Sequence, residues 1–343
     1  MSEVTSSLES LHVRRSTFSP LFTLAGALVI TAFFTAAPWI LAASWVSILS
    51  NFFILLIMAT MWNLLAGYAG MVSIGQQGFV GLGAYATLYF AIKGMNPFAA
   101  IPFAIVTCAV LALPITYLLF RLRGGYFAVA TWVVADSAML IILSIALLGG
   151  GTGSYLPGLS SLSPTQLDHD TYLATWFVAL AVVVATYLIL RSRLGLVLSS
   201  LRDNETASRS AGAKVTATRR LIYVIAAAGC GAAGSVLAIS QPFVQPGNAF
   251  NLNWAAEMLF VTMVGGLGTI EGPILGCVIF FVLQQTLQNY GAWYLIIFGS
   301  LAVAVALWQP RGLWGALRQK THLELLPVGY RVRRSDGVET TSS

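Results

Sequence analysis

From Ser16 to Ile92 the chain reads STFSPLFTLAGALVITAFFTAAPWILAASWVSILSNFFILLIMATMWNLLAGYAGMVSIGQQGFVGLGAYATLYFAI, 77 residues without one Asp, Glu, Lys, Arg or His. Soluble domains carry about a quarter of their residues as charges; this chain carries 9%. A bilayer explains the difference, because a charge at the centre of a membrane helix costs about 2.5–3.5 kcal/mol. The stretch is long enough for three crossings at about 20 residues each. The chain is therefore expected to be integral to a membrane, and its few charges become its most informative letters.

Working outward, hydrophobic residues make up 57% of the 343 positions, with 32 Gly and a mean hydropathy of +0.82. The apolar runs are continuous rather than alternating over about ten residues, which selects helices over a β-barrel. The fold class expected is all-α: a polytopic helical membrane protein of about ten transmembrane or half-spanning helices. A pI near 9.4 fits basic cytoplasmic loops better than nucleic acid. Cys108, Cys230 and Cys277 each lie inside an apolar run without a CxxC spacing and read as small buried hydrophobes. His12, His169 and His322 are scattered, so no metal site is expected. Arg14 and Arg15 precede an apolar run resembling an export signal, but the run from Pro20 to Ala43 is longer than a signal h-region and more spans follow. It reads as an uncleaved first helix.

Ten crossings are expected: 20–43, 45–66, 73–92, 98–120, 126–148, 171–191, 218–240, 254–268, 272–289 and 292–308. The third and eighth are Gly-rich and poor in bulky residues. With the N-terminus inside, 17 of the 18 Lys and Arg residues fall on the cytoplasmic side or its boundary, and only Lys93 falls outside; the positive-inside rule thus fixes the orientation. Trp39, Trp45, Trp176, Trp254 and Trp293 then lie near outer ends, and Trp62, Trp308 and Trp314 near inner ones, as interfacial rings prefer. The domain plan is a cytoplasmic segment 1–19, a permease-like membrane domain 20–309 with an inner loop 192–217, and a polar, basic cytoplasmic tail 310–343 expected to be disordered and able to touch anionic lipid.

Within loop 192–217, Asp203 or Asn204 can cap a short helix ending at Gly212. It reads either as a solvated loop or as a docking helix for a cytoplasmic partner. Gly75, Gly78, Gly81 and Gly83 put small residues on roughly one helical face, and Gly272 and Gly276 form a second small-xxx-small pair. Each permits plain close packing or an unwound segment. The Gly-interrupted segments near 67–85 and 264–276 lie in opposite halves of the chain, the pattern of an inverted repeat with a midplane pathway between broken helices. Asp136 and Glu257 are the acids placed inside spans. Each is expected to face the interior, in a structural hydrogen bond or on a pathway. The chain has no Gly-Lys dipeptide and hence no phosphate-binding P-loop.

Five stretches in order carry a resemblance to the branched-chain amino acid permease family, the LivM-type subunit of ABC importers. Ser192-Arg193-Leu194-Gly195 with Arg202-Asp203-Asn204-Glu205 and Gly212 resembles its S-R-x-G, R-D-x-E-x-A and following Gly. Ser73 to Tyr85 resembles S-x-G-H-x-x-F-x-G-x-G-A-Y. Gly125-Tyr126-Phe127-Ala128 with Thr131 and Asp136 resembles Y-F-A-x-x-T-x-x-x-x-E. Glu257, Gly265-Gly266-Leu267-Gly268 and Gly272-Pro273 resemble E-x-L … G-G-x-G-x-x-x-G-P, and Pro310 to Gly315 resembles the P-x-G-L-x-G that closes the last helix. The chain departs from the pattern at Gln76, where the family has His, and at Asp136, where it has Glu. Gly149 to Gly153 matches its outer loop only loosely.

The resemblance implies a subunit of an ABC importer in the bacterial inner membrane, both termini cytoplasmic, carrying branched-chain or other small amino acids, with urea, amides and organic acids also open. It implies a second permease subunit, two cytoplasmic ATPase subunits that use ATP, and a periplasmic solute-binding protein. No cofactor belongs to this chain, nucleic acid is not a partner, and the chain is not an enzyme. Translocation-pathway candidates are Ser73, Gln76, Phe79, Tyr85, Tyr126, Asp136, Glu257, Gly265, Gly266 and Gly268. Candidates for coupling to the ATPase are Arg202, Asp203, Glu205, Ala211 and Gly212. The rival readings are an ion- or proton-coupled secondary transporter using Asp136 and Glu257, and a membrane enzyme, which the absence of an intramembrane His disfavours.

Overall fold

The structure, a computed structural model, describes residues 11–14, 20–122, 124–159, 162–203, 208, 214–287, 293–309, 312–321 and 331–334. Every expected crossing is a helix. The first half holds α1 (Pro20–Ile40), α2 (Ala43–Asn63), α3 (Gln76–Ile92), α4 (Pro97–Leu119) and α5 (Gly125–Leu143). The second holds α6 (Pro164–Arg191), α7 (Arg193–Asp203), α8 (Val215–Ser240), the single turn α9 (Pro246–Ala249), α10 (Leu252–Gly265), α11 (Glu271–Leu287), α12 (Trp293–Trp308) and α13 (Gly312–Thr321). Among the described residues, α4, α5, α6, α8 and α2 with its π-helical extension Leu64–Tyr68 are long and apolar enough to cross a bilayer outright. Helices α3, α10 and α11 are shorter, at 17, 14 and 17 residues.

Local sequence sets where the crossings begin. Pro97 occupies the first turn of α4, and the Asn96 side chain accepts the Phe98 N–H at 2.9 Å. α6 starts with a capping box between Ser163 and Gln166, followed by Pro164. Each device satisfies amides that a helix start leaves without partners. This start precedes the expected one and draws Asp168 and Asp170 into exposed first turns of α6.

At the centre α3 crosses α8. A Cβ on Gly83 would collide with the Gly231 carbonyl, and one on Gly234 with the Val80 carbonyl. Across the same contact the Thr87 and Ser235 hydroxyls pair at 2.6 Å. Backbones approach this closely only where side chains are absent, which is how membrane helices gain contact without a hydrophobic driving force. The α3 glycines do not share one face as expected. Gly75 and Gly78 meet Thr131 and Ala135 of α5, Gly81 meets the Phe250 ring, and Gly83 meets α8. A helix advances 100° per residue, so this run serves three neighbours rather than one.

The turns collect at two ends. At the end holding Lys93, β2 (Ser154–Tyr155) pairs antiparallel with β3 (Phe243–Val244), and the Leu156 N–H donates to the Pro242 carbonyl at 2.7 Å. At the other end Gly67, the 266–270 turn and Gly312 come together. There too β1 (Leu11–Arg14) pairs with β4 (Arg331–Arg334), bringing the two chain ends to one side. The tail expected to be disordered therefore contains α13 and β4. The P-x-G-L-x-G match opens α13 rather than closing α12, with Gly312 at φ 70° and its Cα beside Gly266.

Candidate functional site

Helix α3 does not begin at Ser73, as the apolar run suggested. The chain leaves the π-helical turn at Tyr68, and no helix forms again until Gln76. Backbone groups freed this way inside a membrane need partners from neighbouring helices. Three side chains supply them. The Trp62 indole N–H donates to the Ser73 carbonyl at 2.7 Å. The Thr131 hydroxyl of α5 accepts from Ile74 N and Gly75 N at 3.1 and 3.2 Å. The Ser73 hydroxyl accepts from Gly75 N at 3.3 Å and from the Gln76 amide at 3.4 Å. Ser73, Gln76 and Thr131 are thus parts of one buried polar clasp.

The second Gly-rich break is tied to the first. Asn63, at the end of α2, donates to the Thr269 carbonyl at 2.7 Å and accepts the Gly268 N–H at 2.8 Å. Gly266 and Gly268 adopt φ of 140° and 76°, conformations open to glycine. Gly265 lies against the Gly272 carbonyl and Gly276 against that of Val261, so α10 and α11 form a tight hairpin. The breaks meet near the end of α2, not at mid-depth as expected. The continuous Ala43–Tyr68 helix of 26 residues spans about 39 Å, more than the roughly 30 Å of bilayer hydrocarbon, and Gly67 lies near its end. Asn63 was absent from the sequence-based candidates, although a lone amide in an otherwise apolar run was a signal.

What occupies mid-depth is the first half of α3. Gly75 and Gly78 lie against Thr131 and Ala135, near the midpoint of α5. Gln76 and Gln77 are 0% exposed and Tyr85 is 1% exposed. Neither amide atom of Gln77 has a hydrogen-bond partner, nor have Gln76 Oε1 and the Tyr85 hydroxyl. Phe79 is buried, its ring edge-on to Tyr223 of α8 at 5.8 Å and its carbonyl facing the Cys108 thiol at 3.6 Å. Cys108, Cys230 and Cys277 are free and buried.

The two acids behave differently. Glu257 is partly buried on α10, close enough to Cys277 of α11 to act on it electrostatically. Asp136, expected to face the interior, lies on the exposed side of α5. Val129, Val133 and Leu140 share that side, and Tyr126 at the helix start is 80% exposed. Asp136 follows Ala135, which faces α3, by 100° of helical rotation and so turns away from this chain's core.

In the inner loop the helix begins earlier than expected. The Ser192 hydroxyl accepts the Leu194 N–H at 3.2 Å and caps α7, whose Leu198 and Leu201 are buried. Arg202 and Asp203 end this helix rather than begin one. Glu205, Ala211 and Gly212 lie outside the described residues. Among the described residues no three His, Cys, Asp or Glu side chains gather as metal ligands. The arrangement suits passage of a solute along buried polar groups.

The chain matches the family described as branched-chain amino acid transport system / permease component over residues 44–306. It is 27% identical over 316 residues to the high-affinity branched-chain amino acid transport system permease protein LivM of Salmonella typhimurium, covering 84% of this chain and 74% of that one. It is 26% identical, with the same coverage, to LivM of Escherichia coli K12. It is 24% identical over 270 residues to the probable permease protein LivH of Methanocaldococcus jannaschii, covering 71% and 82%. No solved structure matches. With the family covering most of its length, from the start of α2 to the end of α12, this chain belongs to the branched-chain amino acid transport system permease components.

Proposed function

We propose that this multi-pass membrane chain is one of two permease subunits of an ABC importer in the bacterial inner membrane. It receives a branched-chain or related small amino acid from a periplasmic solute-binding protein and releases it to the cytoplasm. The observation that carries the reading is the family match across nine of the ten crossings. The permease is not an enzyme, and ATP is used by two separate ATPase subunits.

Two features support the partners. The exposed side of α5 carries Asp136 near mid-depth, where lipid contact would cost about 2.5–3.5 kcal/mol. A second permease with a polar pathway between the two subunits removes that cost. Helix α7, held by Leu198 and Leu201 against the ends of α6 and α8, leads into the segment holding Arg202, Asp203, Glu205, Ala211 and Gly212, where an ATPase subunit docks.

Replacing Asp203 and Glu205 together by Ala tests the coupling role in the complete complex. The permease is expected to insert normally while ATPase co-purification weakens or hydrolysis uncouples from uptake. Normal co-purification together with normal uptake would return the loop to an ordinary solvated segment.

A further inference from the structure

A buried amide with neither atom hydrogen-bonded is expensive, so native proteins keep one where a water or a ligand completes it. Gln77 is such a group. Its helix face continues through Gly81 to Tyr85 at spacings of four, which places the three residues in one line along α3. Tyr85 ends the line with a second unpartnered hydroxyl. Between them the Phe250 ring lies flat over Gly81, where a Cβ would stand 2.5 Å from three ring carbons. The rings of Tyr85 and Phe250 are 6.1 Å apart.

Phe250 comes from the opposite end of the molecule to the 266–270 turn. It follows α9 in the segment that β3 ties to β2, at the end holding Lys93. Directly beyond it lies a cavity of ≈ 20 Å³ lined by Ala84 of α3, Leu237 and Ala238 of α8, and Gln241, Gln245 and Asn248 of the connecting segment. A path from that end toward Gln77 therefore runs through the cavity and is stopped by one aromatic ring seated on a glycine.

We propose that Phe250 is an outer gate seated in the Gly81 notch, and that Gln77 and Tyr85 form a cargo subsite for a zwitterionic α-amino acid behind it. The residues fit that class of cargo. The Gln77 amide donates to a carboxylate through Nδ-type hydrogens on Nε2 and accepts from an ammonium through Oε1, and the Tyr85 hydroxyl does either. The stripe Gln77, Gly81, Tyr85 carries no formal charge, which suits a solute of zero net charge. The cargo assignment rests on the permease reading above; the gate does not.

Two measurements on the complete complex in membranes test the inference. In the first, the thiol introduced by Gln77→Cys is labelled from outside with a membrane-impermeant methanethiosulfonate, against the unsubstituted chain as blank. Closed by Phe250, the site labels slowly. Phe250→Ala removes the ring and Gly81→Ala pushes it out of its seat, so either change is expected to raise the rate about tenfold or more, as when a minor open state becomes dominant. Two variants acting from opposite sides of one contact keep the test decisive if one fails to assemble. Equal rates with and without the ring would overturn the gate.

In the second, uptake of radiolabelled leucine is compared for the unsubstituted chain, Gln77→Leu and Tyr85→Phe. Removing the amide is expected to lower uptake about tenfold or more, the loss of one hydrogen bond to a charged group, with thermal stability unchanged or raised. Full uptake by Gln77→Leu would overturn the subsite and leave the amide to a fixed water. Absence of leucine uptake by the unsubstituted chain would instead sink the permease reading, and the labelling rates would still decide the gate.

Discussion

Replacing Asn63 by Ala should destabilise the fold more than any other single amide change in α2. Asn63 is 2% exposed and bridges the Gly268 N–H and the Thr269 carbonyl, linking the end of α2 to the α10–α11 turn 205 residues away. Interhelical hydrogen bonds in membranes measure about 0.6 kcal/mol each, with a maximum near 1.7. Leaving a buried partner unsatisfied adds to that, about 1–3 kcal/mol per group. Two bonds lost together give a total of about 2–4 kcal/mol. Asn63→Asp keeps the acceptor for Gly268 and loses the donor to Thr269, so about half the loss is expected. Asn51→Ala, on the exposed side of the same helix, serves as control. Because all three cysteines are free and buried, a thiol-reactive fluorogenic dye reports unfolding on heating. The expected order of midpoints is Asn51→Ala, then Asn63→Asp, then Asn63→Ala. An Asn63→Ala midpoint equal to that of Asn51→Ala would refute the idea that the two Gly breaks are clamped by this side chain.

Other expectations follow from the same geometry. Reporter fusions after Thr321 and near Pro157 should report opposite sides of the membrane, and finding both on one side would break the crossing count. Gly234→Leu drives a side chain into the Val80 carbonyl, and since overpacking costs about 1–3 kcal/mol or more, little inserted, folded protein should be recovered. Asp136→Asn should weaken leucine uptake or permease pairing far more than Asp168→Asn, which lies in the exposed first turns of α6. Equal uptake and equal co-purification in both would leave the α5 face facing lipid.

The ten crossings were legible because each is an apolar run near the length a bilayer demands, and the breaks because glycines interrupt those runs. Which helix each glycine approaches was not legible. Gly81 and Phe250, or Gly83 and Gly231, are brought together by tertiary packing that leaves no period in the sequence. Asp136 shows the limit for faces. Helix α5 is apolar on nearly every side, so no amphipathic stripe indicates which way its carboxylate turns. The inner-loop helix was misplaced for a local reason: Asp203 reads as a good cap, but Ser192 sits eleven residues earlier and makes the cap bond. Gln77 was passed over for its neighbour because Gln76 occupies the family's His position, whereas burial without a partner is visible only in the fold.

The central claim is that ATP-hydrolysing companions drive transport through this chain. Proteoliposomes containing the permease pair, with and without the ATPase subunits, are the direct test, using radiolabelled leucine, the solute-binding protein and ATP. Accumulation is expected only with the ATPase subunits and ATP present, and it should persist when ion gradients are collapsed. Accumulation by the permease alone, driven by a proton or sodium gradient, would contradict the account and make this chain a secondary transporter.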